Sequence, residues 1–366
     1  MKTALVHYWL VGMRGGEAVF RKFMDLHPGS DVFTNVYKPE GVASMFEGRP
    51  PPTTTWVNNL PGASKLYPLY MPLMPSALEQ LDLSGYDLVI SSESGPAKWV
   101  ITDPGARHVC YVHTPMRYLW DQRLAYREKV PSVFKPIFDS VTHKLRIKDV
   151  ISATRVDDFV ANSSFVASRI HRYYGRKATV IPPPVEAKDI GPPTAPEDFY
   201  LFAGQLVSYK RVDLAIRACQ ALGRRLVIAG DGSQRGVVEK LKSSLVDFRG
   251  RVSREELVDL MGRCRALLFP GVEDFGIVPV EVMAAGRPVI GFAQGGLLDS
   301  VEHLRSGFLY QGGSLDDLIG AIQAFETWES DFSPAAAVSR ARHFSADAFS
   351  QRWLSFIDGS GSAKAA

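Results

Sequence analysis

The chain has 366 residues, 46% of them hydrophobic, 22% charged and 11% aromatic, which excludes a disordered or fibrous protein. At ~100–200 residues per domain, that length calls for two domains. A formal net charge of +3 gives a nucleic-acid partner no general electrostatic support. The three cysteines, Cys110, Cys219 and Cys264, show no ligand or redox spacing and are expected as buried thiols of a reducing compartment.

The opening run "MKTALVHYWLVG" meets charges too soon for a signal peptide or membrane span and is expected as a first buried strand. "MRGGEAVF" follows, with Gly15 and Gly16 between that strand and a helix of apolar periodicity. Adjacent glycines permit close backbone approach, and a helix N-terminus favours anions. The spacing is not that of a dinucleotide loop, so a simple tight turn stands beside the anion-binding reading. "DVFTNVY", "DLVISS", "RHVCYVHT" and "DFVANSS" continue the first half as strands separated by helical periodicity. "YVHTP" puts His113 at a strand end, where a histidine serves either structure or a ligand.

Two further stretches of this half stand out. "LPGASKLYPLYMPLMP", residues 60–75, interleaves Leu, Tyr, Met and Pro, and "THKLRIKD" carries Lys144, Arg146 and Lys148. One reading is a peripheral contact with an anionic membrane surface. The other is a loop packed on the core plus a solvated helix face. No segment offers about eighteen uninterrupted apolar residues, so any membrane contact is expected to be peripheral; with the unpaired cysteines, the expected location is cytoplasmic, with that contact at the inner face of the cell membrane.

The prolines of "VIPPPVEAKDIGPPTAPEDF", residues 180–199, remove amide donors and fix φ, so this stretch is expected as a linker. The strand-helix rhythm then restarts with "YLFAGQL", "RLVIAG", "VDFRGRV", "ALLFPG", "PVIGF" and "GFLY". Alternation of this kind predicts two doubly wound α/β domains with parallel sheets, facing a central cleft. The expected boundaries are 1–183, an acceptor-binding domain, and 184–344, a donor-binding domain. A closing helix at 345–358, with the option of crossing back to the first domain, and a flexible tail at 359–366 complete the chain.

"FPGVEDFGIVPVEVMAAG" reads as a buried strand, a turn bearing Glu273, and a helix bearing Glu281 with Pro279 in its first turn and Gly286 as its stop. The free amides near Phe275, Gly276, Ile277 and Val278 suit a phosphate. The two carboxylates suit hydroxyl groups on either side of it. A solvated turn residue and a helix-surface residue are the plainer alternative.

The E-x7-E spacing of Glu273 and Glu281 resembles the signature of retaining glycosyltransferases with the GT-B fold. The stretch "FPGVEDFGIVPVEVMAAGRPVIGFAQGGLLDSV" is similar to that family's donor site. The likeness extends to "YLFAGQLVSYKRVDLAIRA", "VIAGDG", "RGRVSREEL", "RGGEAVF", "YVHTPMRYLWD" and "VANSSFVASRI", and is greatest to family 4-type, mannosyltransferase-like bacterial members of O-antigen and exopolysaccharide biosynthesis.

The resemblance implies a GT-B fold of two Rossmann-like domains and a hexosyltransferase that retains anomeric configuration. Glu281 would hold the ribose hydroxyls and Glu273 a hydroxyl of the donor sugar. The amides of Asp274, Phe275, Gly276 and Ile277 would contact sugar and phosphate, and Gly15 and Gly16 would lie near the donor. Gly230, Asp231, Gly232, Arg251 and Val252 would surround the nucleobase, and His113 would lie beside the anomeric carbon.

Lys210 would neutralise the diphosphate, yet the family's partner arginine is replaced by Gln205, which leaves Arg211 or another cation to compensate. No metal and no cofactor are expected. The donor would be a GDP- or UDP-sugar, with mannose from GDP-mannose the first choice, and the acceptor a saccharide or a polyprenyl-diphosphate-linked one. Two other functions stay open: a nucleotide-sugar-binding protein of weak activity, and an epimerase of the same fold.

Overall fold

The computed structural model describes residues 1–191 and 194–359. Pro192 and Pro193 of the proline-rich stretch, and all but the first residue of the expected tail, lie outside the described residues. The chain divides into two compact units, Met1–Ile181 and a second from Pro182 onward.

In the first unit, β1 (Thr3–His7), β2 (Asp31–Thr34), β3 (Thr53–Thr54), β4 (Leu88–Glu93), β5 (Arg107–Val112), β6 (Asp158–Ala161) and β7 (Ala178–Val180) form one sheet in the order β3-β2-β1-β4-β5-β6-β7. Every neighbouring pair is parallel. β1 and β4 are buried along their whole length, as central strands covered on both faces must be. Successive strands run outward from β1 in one direction and from β4 in the other, so the winding reverses between these two. In doubly wound sheets the crevice at such a reversal, beyond the carboxyl ends of the strands, is where ligands bind.

The second unit repeats the plan with β8 (Tyr200–Ala203), β9 (Leu226–Ala229), β10 (Val246–Gly250), β11 (Ala266–Phe269), β12 (Val289–Phe292) and β13 (Gly307–Tyr310), in the order β10-β9-β8-β11-β12-β13. Its reversal falls between β8 and β11. Alternation along β8 divides the core in two, because side chains of period two point to opposite faces. Leu201 and Ala203 join Leu267, Phe269 and Val282 on one side. Tyr200 and Phe202 join Ile216, Leu268 and Phe325 on the other.

Three features depart from the sequence reading. β1 stops at His7, short of the apolar run. Beyond it Tyr8 and Trp9 pack edge to face at 4.6 Å, and only an isolated bridge at Leu10 touches Tyr37. The edge strands β3 and β7 are two and three residues long, too short to show alternation in sequence.

The described part of the expected linker is also no free tether. Val185 is buried, its amide bonds Phe344 O at 2.8 Å, and Asp189 pairs with Arg254 at 2.7 Å. Its apolar side chains and one carboxylate fasten it to the second unit as a strap. The closing helix, Ala346–Ile357, is part of the second unit and is capped by Ser345, whose Oγ accepts from Ala348 N.

Candidate functional site

In the first unit, the end of β1, the end of β4 and the residue after β5 meet beside the helix Gly15–Leu26. His7 and Ser92 are register partners on β1 and β4, which puts both at the reversal. Ser92 Oγ lies 2.8 Å from His113 Nε2 and 3.1 Å from His7 Nδ1. Burial pushes the His113 imidazole down to about 3 and the His7 imidazole below its ordinary value, so both rings are neutral near pH 7. His113 is half-buried, and its backbone is fixed by Glu93 O and by Asn162 Nδ2.

Gly15 is exposed at the first position of the helix. Gly16 leaves little room for a side chain: a Cβ there would stand 2.8 Å from the Tyr8 hydroxyl, which would have to shift, and 3.7 Å from the His113 ring. Gly16 thus lets the start of the helix lie close to the Tyr8 hydroxyl and the His113 ring.

In the second unit, Lys210 follows β8 in the short 3-10 turn Ser208–Lys210, and Glu273 lies on the loop after β11. The two flank the reversal. Lys210 Nζ is 2.8 Å from Glu273 Oε1, both side chains being mostly covered. The contact is an ion pair of poor hydrogen-bond alignment, since the same carboxylate oxygen has no partner of good geometry.

Gly271 makes the meeting possible. A Cβ on it would come 2.5 Å from both Lys210 Cα and Tyr209 O. On the far side Gly296 N donates to Glu273 O at 2.9 Å, so a Gly295-Gly296 pair fixes the Glu273 loop. The roles of Gly271, Gly295 and Gly296 are not legible in sequence, where a glycine after a strand looks like any turn.

The loop runs through Asp274 and buried Phe275 to Gly276, which sits at φ +86° as N-cap of the helix Ile277–Ala284. With no capping side chain on Gly276, the first amides of this helix lack the partner that Ser, Thr or Asp would supply. Pro279 falls in its first turn, and Gly286 lies beyond its end at φ +74°.

Glu281 is on that helix, but its carboxylate is engaged: Oε1 accepts from Arg254 Nη1 at 2.6 Å, and Arg254 Nε donates to Asp189 at 2.7 Å. Burial pushes the Glu281 carboxyl above its ordinary value, while Arg254 pulls it back toward the ionised form. Arg254, the first residue of the helix Arg254–Arg263, is a missed member of the site. Its sequence signal lies in "RGRVSREEL", where the resemblance assigns Arg251 and Val252 but not Arg254. Arg251 is exposed and Val252 half-buried.

Gln205 is exposed on the loop after β8. Arg211, the N-cap of the helix Val212–Leu222 at φ +56°, forms an exposed ion pair with Asp213 at 3.2 Å. Gly230 and Gly232, with Asp231 between them, cross the Gly204–Leu206 backbone, where Leu206 N bonds Asp231 O at 3.0 Å. The structure thus gathers Gln205, Lys210, Gly230, Asp231, Gly232, Glu273 and the start of the Ile277–Ala284 helix around the carboxyl ends of β8, β9 and β11. Among the described residues no group of three or more His, Cys, Asp or Glu is placed to hold a metal ion.

Residues 36–189 match Glycosyltransferase Family 4, and residues 186–342 match Glycosyl transferases group 1. The first half of the chain is thus similar to a glycosyltransferase domain of Family 4 type and the second to one of group 1 type. An uncharacterised glycosyltransferase of Methanocaldococcus jannaschii is 38% identical over 117 residues, 29% of this chain and 30% of that protein. The D-inositol 3-phosphate glycosyltransferase of Streptomyces scabiei is 30% identical over 202 residues, 44% of this chain and 45% of that protein. The chain thus spans less than half the length of these two curated relatives. HepE of Anabaena, solved in complex with UDP-glucose, superposes with a TM-score of 0.68 at 19% identity, covering 98% of this chain and 100% of that one. At that identity the likeness shows the fold, which is GT-B: two parallel-sheet α/β domains of seven and six strands.

Proposed function

We propose that the protein is a retaining glycosyltransferase that moves a hexose from a nucleoside diphosphate sugar to a saccharide or polyprenyl-diphosphate-linked acceptor. The observation that carries this reading is the Lys210–Glu273 pair at the winding reversal of the second sheet, beside the uncapped helix start at Ile277. The departing group is a nucleoside diphosphate, so negative charge grows on phosphate oxygens as the glycosidic bond breaks. A fixed ammonium and a helix N-terminus stabilise that charge more in the transition state than in the ground state.

Glu273, now paired with Lys210, accepts a hydroxyl of the donor sugar. Glu281, held by Arg254, accepts from the ribose. Gly230, Asp231, Gly232, Arg251 and Val252 are assigned to the nucleobase, and His113 to a hydroxyl of the donor sugar or of the acceptor. With charge neutralised by protein groups, the reaction requires no metal. Same-face attack, with the leaving phosphate accepting the acceptor's proton, accounts for retention without a protein nucleophile.

Mannose from GDP-mannose, used in cell-surface polysaccharide synthesis, is the donor we favour on likeness of sequence. A solved structural neighbour holds UDP-glucose, and curated relatives are D-inositol 3-phosphate glycosyltransferases, so UDP-sugars are tested beside it. Calorimetry with GDP- and UDP-sugars, followed by transfer assays, decides. Binding of one nucleotide series at micromolar strength with transfer to an acceptor supports the reading; binding of none refutes it.

Exposed, uncharged Gln205 favours a second reading, a nucleotide-sugar-binding protein of weak activity. Gln205→Arg tests it, because a charged hydrogen bond is about twice as strong as a neutral one. A large gain in turnover identifies Gln205 as the limiting residue, whereas no gain leaves the transferase reading intact.

A peripheral membrane contact is also proposed. Leu66, Leu69 and Leu73 are exposed within the proline- and tyrosine-rich segment, and Val133, Phe134, Ile137, Ile147 and Ile151 are exposed near the basic run of Lys144 and Lys148. No described helix is long and apolar enough to cross a membrane. Flotation with anionic vesicles at low salt tests the contact, and no binding ends it.

A further inference from the structure

Four side chains of the first unit form a line that the reaction scheme does not use in full: Glu17, His7, Ser92 and His113. Glu17 is in the first turn of the helix Gly15–Leu26 and is 1% exposed; His7 and Ser92 are not exposed at all. Glu17 Oε1 is 4.0 Å from His7 Nε2. His7 Nδ1 is 3.1 Å from Ser92 Oγ, which is 2.8 Å from His113 Nε2. Among the described residues, His7 Nε2 and Glu17 Oε2 are buried without a hydrogen-bond partner. The His7 ring is walled by Phe20, its centroid 4.6 Å away, and by Tyr8, at 4.1 Å. Bulk water does not screen this contact.

Each neutral imidazole carries one N–H and one lone pair, and one hydroxyl joins the two rings, so the protons along the line can be arranged in two senses. A carboxylate at the helix N-terminus, where the dipole favours negative charge, selects between them. If the His7 lone pair faced Glu17, two negative ends would meet in a low-dielectric interior. With the N–H on His7 Nε2 instead, His7 Nδ1 accepts from the Ser92 hydroxyl, and Ser92 Oγ accepts from His113 Nε2–H. His113 Nδ1 is then a bare acceptor. In the opposite order His7 Nδ1–H would donate to Ser92 Oγ and the Ser92 hydroxyl to His113 Nε2.

We infer that Glu17 is a positioning residue which, through His7 and Ser92, fixes the proton of His113 on Nε2 and leaves Nδ1 to accept a hydroxyl of the sugar. The proton order rests on the spacing and burial of these four side chains and on the neutrality of both rings; the role of Nδ1 rests on the transferase reading. The consequence is selective. A ligand hydroxyl must donate to His113, so a group that can only accept at that position binds poorly.

The test is the tautomer of His113, read by long-range proton–nitrogen correlation on full-length protein labelled with 15N-histidine at pH 7. The wild type should show Nε2 protonated and Nδ1 bare, Glu17→Asp should keep that pattern, and Glu17→Gln should populate the Nδ1–H form. In a Ser92→Ala background, Glu17→Gln should no longer move His113. Protonation of His113 on Nδ1 in the wild type, or an unmoved His113 in Glu17→Gln with Ser92 present, overturns the proposal. If Glu17→Gln is unfolded, the wild-type tautomer and its loss of order in Ser92→Ala decide the matter.

Transfer kinetics give a second readout. Glu17→Gln should lower kcat about tenfold while the donor KM changes little, and Glu17→Asp should recover most of the loss. Absence of any sugar transfer by the wild type, with the tautomers as expected, would sink the transferase reading and leave the proton order standing.

Discussion

Replacing Lys210 by methionine separates catalytic from structural cost. The Lys210 and Glu273 side chains are 14% and 18% exposed, between a surface pair and a fully buried one. Exposed pairs contribute ~0–1 kcal/mol and breaking a buried pair costs ~3–5, so Lys210→Met should cost about 2 kcal/mol of stability. For a unit of this size that lowers Tm by about 4–8 °C. The transition state suffers more, because a cation aimed at developing charge contributes ~10²–10³ in kcat. Scanning calorimetry and steady-state transfer on the same preparation give both numbers. A kcat within tenfold of wild type, or a fall in Tm large enough to account for the lost activity by unfolding, would refute the reasoning.

Three further outcomes are expected. Gly271→Ala forces a methyl group against the Lys210 backbone, so it should cost ~1–3 kcal/mol in urea titration and lower kcat by parting Lys210 from Glu273; wild-type values in both would show that the loops do not need their close approach. Glu281→Ala should weaken nucleoside diphosphate binding by ~10–100-fold in calorimetry, the worth of a hydrogen bond to a charged group, with Arg254 still held by Asp189.

Acid should destabilise the first unit through His108, which burial pushes down to about 4 from 6.5. The unfolded chain then binds the extra proton between those values, so stability falls as pH drops through 6.5 and levels off below about 4. From pH 7 to pH 5 this one residue should account for ~2 kcal/mol, read as the difference in urea midpoints between wild type and His108→Gln. Equal pH slopes for the two proteins would exclude His108 as the cause.

What the sequence made legible was whatever depends on local pattern. Runs such as "DLVISS" and "ALLFPG" announced buried strands because they are apolar and bounded by turns. Gly276, Pro279 and Gly286 announced a helix because each has a backbone preference that fits only certain positions. Glu273 and Glu281 could therefore be put on a loop and a helix from the strand before them and these backbone preferences. What remained hidden depends on contacts between segments distant in sequence. Arg254 is 27 positions from Glu281 and 65 from Asp189, and its pairing follows from the order of β8 to β11 in the sheet. The reach of Gly271 toward Lys210 is hidden for the same reason. Glu17 looked like an ordinary first-turn carboxylate, and only the register of β1 against β4 connects it, through His7 and Ser92, with His113.

The most direct test of the account is a crystal structure with a bound nucleoside diphosphate sugar. The diphosphate should lie between Lys210 Nζ and the first amides of the Ile277–Ala284 helix, with the ribose hydroxyls on the Glu281 carboxylate and the sugar within hydrogen-bonding reach of Glu273. A ligand bound away from the carboxyl ends of β8 and β11, with the Lys210–Glu273 pair unchanged, would contradict it.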